Sequence, residues 1–144
     1  MGERILVVDD EIDILELLEM IITDRTDYEV TTTNNPVEVP ELLKKASYDL
    51  IITDLRMPDI DGIELIEMVK QIDNQLPFII LTAYGTIESA VEAMRKGAFD
   101  YITKPFRQEQ ILLTIEKVMK LRRLQKENIA LKAELAKMKK EAEE

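Results

Sequence analysis

Residues 50–72 read LIITDLRMPDIDGIELIEMVKQI, a strand pattern followed by a helical one. Its first four residues, Leu50 to Thr53, are apolar and largely β-branched with no alternation, the pattern of a strand covered on both faces. From Gly62 to Ile72 the apolar residues fall at 63, 65, 66, 68, 69 and 72, which is a helical stripe. A buried strand that ends in Asp54 and feeds an amphipathic helix is half of a parallel β-α-β unit.

The same pairing recurs along the chain. Apolar runs lie at Ile5–Val8, Tyr28–Thr33, Phe78–Thr82 and Tyr101–Thr103. Helical patterns lie between them at Asp13–Thr23, with apolar positions 14, 15, 17, 18, 21 and 22, and at Ile87–Met94. The expected fold is therefore α/β, a parallel five-stranded sheet with helices on both faces and right-handed crossovers. The stretch NNPVEVPELLKK is less regular, because Pro36 and Pro40 do not fit inside one helix. Pro40 reads as a first-turn residue, which predicts a helix of barely two turns ending near Ala46.

After Pro105 there is no further proline or glycine, so one helix is expected from about Gln108 to the end. Its first part carries apolar residues at 111, 112, 115, 118 and 119, suited to packing on the sheet. From Leu121 the spacing alternates between three and four, at 121, 124, 128, 131, 135, 138 and 142, which is a heptad seam. Asn128 then occupies an a position, the residue type that selects a two-stranded coil in register. Glu127 and Glu134 at g would face Lys132 and Lys139 at e of a parallel partner. The division expected is residues 1–120 as one domain and 121–144 as a coiled-coil linker forming a homodimer.

Composition narrows the chemistry. The 144 residues contain no cysteine and no histidine, so thiolate, disulfide and imidazole chemistry are excluded. Residues 1–119 hold 11 Lys+Arg against 24 Asp+Glu, whereas residues 120–144 hold 8 against 5. An acidic domain of this kind repels a phosphate backbone, so direct nucleic-acid binding is not expected. No apolar run reaches the roughly 18 residues of a membrane span, and a cytoplasmic location is expected.

Functional groups of an open parallel sheet collect beyond the carboxyl ends of its strands. Here those ends carry Asp9-Asp10-Glu11, Asp54, Thr82 and Lys104. Taken singly, each has a plainer use, since an Asp at a strand end commonly caps the next helix and a lysine before proline is commonly a surface residue. Together they put carboxylates from two strands, a hydroxyl and an ammonium on one edge. Carboxylates crowded in this way require a cation, and an oxygen-only donor set suits Mg²⁺. A carboxylate can attack phosphorus to form an aspartyl phosphate, with Mg²⁺ and Lys104 neutralising the transferring group and Thr82 donating a hydrogen bond to it.

The strings ILVVDDE at 5–11, LIITDLRMPDIDGIEL at 50–65, FIILTAYG at 78–85 and GAFDYITKPF at 97–106 closely resemble the receiver domain of bacterial two-component response regulators. The resemblance covers about residues 4–120. It implies a CheY-like, flavodoxin-like sheet in the order 2-1-3-4-5 and a sensor histidine kinase as phosphodonor. Asp54 matches the family's phosphoacceptor. Asp10, with Asp9 acting through water, matches the Mg²⁺-binding pair, and the backbone carbonyl of Arg56 matches the third protein ligand. Thr82 and Lys104 match the phosphate-contacting pair, and Tyr101 the aromatic switch that turns inward when the Thr82 hydroxyl moves to the phosphate. Arg56 and Tyr84 occupy the two positions that tune phosphate lifetime, and both are bulky, so restricted water access is expected. The residues 122–135, RRLQKENIALKAEL, look like the linker of NtrC-type (sigma-54-dependent) activators, in which an ATPase domain and a DNA-binding domain follow. A seam running into Glu144 without a cap is expected of a piece of such a protein.

Three other readings share parts of this pattern. A flavodoxin-like carrier needs a Ser/Thr/Gly-rich loop offering backbone N–H groups after the first strand, and DDEID is the opposite. A Mg²⁺ phosphatase would set a second acid two residues after an Asp nucleophile on the first strand; Asp9 and Glu11 mimic this weakly, and the companion Asp54 and Lys104 pattern fits a receiver better. A dimerisation module with a vestigial site would have lost site residues, and all are present.

Overall fold

The continuous apolar runs become strands because alternate side chains have a core to enter on each side of the sheet. The computed structural model describes residues 2–83 and 85–143. In β1 (Arg4–Val8) Ile5 and Val7 enter one layer while Leu6 and Val8 enter the other. The remaining strands are β2 (Glu29–Thr33), β3 (Leu50–Thr53), β4 (Phe78–Thr82) and β5 (Asp100–Thr103). They form one sheet in the order β2-β1-β3-β4-β5, every neighbouring pair parallel, as expected.

One layer is closed by α1 (Ile12–Arg25) and by the first part of α5 (Gln108–Glu143), through Leu15, Leu18, Ile22, Ile111, Ile115 and Val118. The other is closed by α2 (Val39–Lys45), α3 (Gly62–Lys70) and α4 (Ile87–Arg95), with Leu65, Ile66 and Val69 of α3 at its centre. The two prolines resolve as the irregular stretch suggests. A 3₁₀ turn over Pro36–Glu38 leads into α2, with Pro40 in the first helical turn, where a missing N–H leaves no bond unmade. The Asn35 side chain accepts from the Val37 amide at 3.2 Å and starts that turn.

Two helices depart from their patterns. Helix α3 ends at Lys70, so Ile72 lies outside it and is half exposed. In α4 only Ala93 is fully buried, while Ile87, Val91 and Met94 are 86%, 48% and 46% exposed. The amphipathic stripe of α4 therefore faces solvent more than core. Helix α5 continues without a break for 36 residues, roughly 54 Å at 1.5 Å per residue. Among the described residues no helix is long and apolar enough to cross a membrane.

Gly62 sets how closely α3 approaches β3. Its amide donates to the Leu55 carbonyl at 2.7 Å, and a Cβ there would stand 2.5 Å from the Asp54 carbonyl oxygen. Backbone cannot yield as a flexible side chain does. Gly62→Ala is expected to destabilise the domain by about 1–3 kcal/mol, the range for forced overpacking. Urea unfolding measures this, and an unchanged midpoint would show that α3 shifts freely.

Candidate functional site

Parallel strands share one carboxyl edge, and register brings the site together there. Val8 pairs with Thr53, so Asp9 and Asp54 leave the sheet side by side; the Asp54 amide donates to the Val8 carbonyl at 3.1 Å. Thr82 pairs with Thr103, and the Lys104 amide donates to the Thr82 carbonyl at 2.8 Å. The Lys104–Pro105 peptide is cis.

The Lys104 ammonium lies between two carboxylates, 3.0 Å from Asp9 Oδ2 and 3.3 Å from Asp54 Oδ2. Both acid side chains are almost wholly buried, at 3% and 4% exposure, and that of Lys104 is 11% exposed. Asp54 Oδ1 accepts from the amides of Leu55 at 2.6 Å and Arg56 at 3.4 Å. Asp9 Oδ1 accepts from the Glu11 amide at 2.9 Å. Among the described residues, the carboxylate oxygens of Asp9, Glu11 and Asp54 fall within 4.8 Å of one another. Asp10 is exposed and outside that group. Glu11 is thus the acid that the resemblance does not point to, although the DDE run contains it.

Burial pushes the Asp9 carboxyl up to about 6, and the neighbouring Asp54 adds to this against the Glu11 amide and Lys104. Burial also pulls Lys104 down, but its hydrogen bonds and charge pairing with Asp9 and Asp54 outweigh that, and the net shift is upward. One ammonium facing three carboxylates leaves the site electronegative. An oxygen-only donor set with a surplus of negative charge fits a hard divalent cation.

Thr82 is fully buried at the end of β4. Tyr101 is half-buried against the α3/α4 core layer, and its hydroxyl shares a 2.9 Å hydrogen bond with Ser89 Oγ. Ser89 belongs to the Thr86/Ser89 capping box that starts α4, so the Tyr101 hydroxyl is tied to the first turn of that helix. Nothing in the spacing of Ser89 announces this contact. Tyr84 lies outside the described residues.

Residues 5–116 match the response regulator receiver domain family. The chain belongs to that family. It is the signal-receiving part of a two-component response regulator, and the 2-1-3-4-5 sheet is its expected fold. Among relatives of this receiver, response regulator protein PilR of Pseudomonas aeruginosa is 41% identical over 103 residues, covering 72% of this chain and 23% of that protein. The crystal structure of NtrX from Brucella abortus superposes with a TM-score of 0.83 at 31% identity, over 92% of this chain and 30% of that one. The solution structure of the beryllofluoride-activated NtrC4 receiver domain dimer superposes with a TM-score of 0.78 at 34% identity, over 83% of this chain and 98% of that one. The matched stretch spans about a quarter of the length of the curated relatives.

Proposed function

We propose that Asp54 accepts a phosphoryl group from the phosphohistidine of a sensor kinase, and that this modification changes how two copies of the chain associate through α5. The observation that carries the reading is the Lys104 ammonium held between two buried carboxylates, Asp9 and Asp54. An Asp54 oxygen attacks phosphorus and forms a P–O bond as the P–N bond to the kinase imidazole breaks. The imidazole nitrogen keeps the electron pair. Lys104 and the Thr82 hydroxyl would then contact the phosphoryl oxygens, and Tyr101 would follow Thr82 inward. Phosphorylation from a donor and slow self-hydrolysis are the only chemistry assigned to the domain.

Mg²⁺ is the cation assigned. Asp9 and Asp54, with Asp10 or Glu11 from the turn after β1 and the Arg56 carbonyl, would hold it. When bound, it supplies charge neutralisation to the transferring group. Beside Lys104 an apolar recess of about 400 Å³, lined by Ile14, Leu17, Ala83, Pro105 and Phe106, supports docking of the kinase at this edge.

The homodimer reading is supported by exposure along the seam: Leu124, Leu131, Leu135 and Met138 are each half or more exposed. A heptad stripe of this kind finds its cover in a second helix of the same pattern. ATPase and DNA-binding domains of the NtrC type, following in the same polypeptide, would be the output. Acetyl phosphate or beryllofluoride with Mg²⁺ is expected to change the sedimentation behaviour of the chain. Asn128→Leu is expected to loosen oligomer choice from dimer toward higher states. A protein that stays monomeric at every concentration, with and without that substitution, would show that the seam does not pair.

A further inference from the structure

Helix α5 leaves the apolar core after Met119, yet it stays attached to the receiver for nearly two more turns. The attachment is ionic. Asp49, just before β3, is 5% exposed and lies at the end of the sheet opposite Asp54. Its Oδ2 accepts from the Arg4 amide at 3.0 Å. Its Oδ1 pairs with the Lys126 ammonium and lies 3.5 Å from Arg122 Nε. The same Arg122, with an 11% exposed side chain, reaches Asp73 Oδ2 and the Tyr48 carbonyl, each at 3.5 Å. Arg123 adds two bonds to Glu3, at 2.9 and 3.1 Å, and one to the Tyr28 hydroxyl at 3.0 Å. Three cations on one stretch of helix thus hold the starts of β1, β2, β3 and the turn before β4.

Helical geometry makes this attachment compatible with a partner. At about 100° per residue, Ile111, Ile115, Val118, Met119, Arg122 and Lys126 fall within a sector of about 100°. Leu124, Asn128, Leu131, Leu135 and Met138 fall about 160–240° around from Arg122. The receiver holds one side of α5, and the seam points away from it.

We propose that Asp49, through Arg122 and Lys126, is a positioning residue that makes the first turns of the linker helix one rigid body with its own receiver, so that a second copy of the chain seats on an already formed helix. The proposal rests on the seam pairing put forward above. A helix of three heptads is marginal alone because its nucleus is unfavourable. The core-packed first part of α5 supplies that nucleus, and the clasp carries the same helix on to Lys126 and fixes the direction in which the seam leaves the domain. In a pair built this way the two receivers flank the coil, and any change in their contact is carried into the coil without a hinge between them. Burial would by itself raise the Asp49 carboxyl, but Lys126, the Arg4 amide and Arg122 outweigh it and hold the group below its usual range.

The test uses the full 144-residue chain. Backbone amide exchange is measured across residues 120–130, with sedimentation equilibrium on the same samples. Asp49→Asn is expected to speed exchange at 121–127 about tenfold or more, while β3 and β4 amides keep their protection. Dimer dissociation should rise by a similar factor. Lys126→Met removes a half-exposed side chain and leaves Asp49 its Arg122 and Arg4 amide partners, and it should speed exchange at the same amides by at least about threefold. Glu29→Gln, in an exposed pair with Arg4, should leave both readouts unchanged. Unaltered protection at 121–127 in both Asp49→Asn and Lys126→Met would overturn the clasp. If the parent chain is monomeric throughout, the pairing reading fails, and the exchange data still decide whether the clasp holds the helix.

Discussion

Asp54→Asn is expected to yield a folded protein that takes up no phosphate from acetyl phosphate and Mg²⁺, where the parent chain takes up one hydroxylamine-labile group. The reason is chemical and local. An amide oxygen is no nucleophile toward phosphorus, whereas the carboxylate beside the Lys104 ammonium is. The fold should survive, because Asn keeps the oxygen that accepts from Leu55 and Arg56. Lys104 also keeps its 3.0 Å partner in Asp9. Removing one of three crowded negative charges relieves repulsion as well. Retained labelling would move the acceptor to Asp9 or Glu11 and sink the assignment.

Lys104→Met should have the next largest effect, on rate and on stability together. Without the ammonium, the almost fully buried Asp9 and Asp54 face each other and Glu11 and lose the cation that pairs with them. Losing one preorganised charge at a site of group transfer typically slows the reaction on the order of 100–1000-fold, and that is the expected fall in labelling rate. Removing one partner of a buried ion pair costs about 3–5 kcal/mol, which urea unfolding at neutral pH would register. A labelling rate within about threefold of the parent would show that the ammonium is not aimed at the transferring group.

Both substitutions probe groups that are legible in the amino-acid sequence, and for a common reason. Asp54 and Lys104 sit at the ends of apolar runs, and parallel strands deliver their ends to one edge. Asp10 and Glu11 are less legible. Both lie in the DDE run, and which carboxylate faces Asp54 depends on side-chain direction as the chain turns from β1 into α1; both are exposed, and it is Glu11 whose carboxylate comes within 4.8 Å of those of Asp9 and Asp54. The stripe of α4 is legible as a pattern but not in its use, since periodicity says that a face is apolar and not whether a neighbour covers it.

Legible in the order of residues alone are the parallel sheet, the succession of helices and strands, Asp54 and Lys104 at strand ends, and a long final helix with a heptad seam. Each follows from period, composition or strand-end position, which are properties of neighbouring residues. Packing in three dimensions sets how Tyr101 meets Ser89, how closely Gly62 brings α3 to β3, and where the receiver's hold on α5 ends. A division at residue 120 follows from the change of apolar spacing, yet the ionic contacts run on to Lys126. Those contacts join residues 77 and 120 apart in the chain, Asp49 with Lys126 and Glu3 with Arg123. Charge pairs over such separations leave no periodic trace, because their partners become neighbours only when the sheet and the helix are already packed.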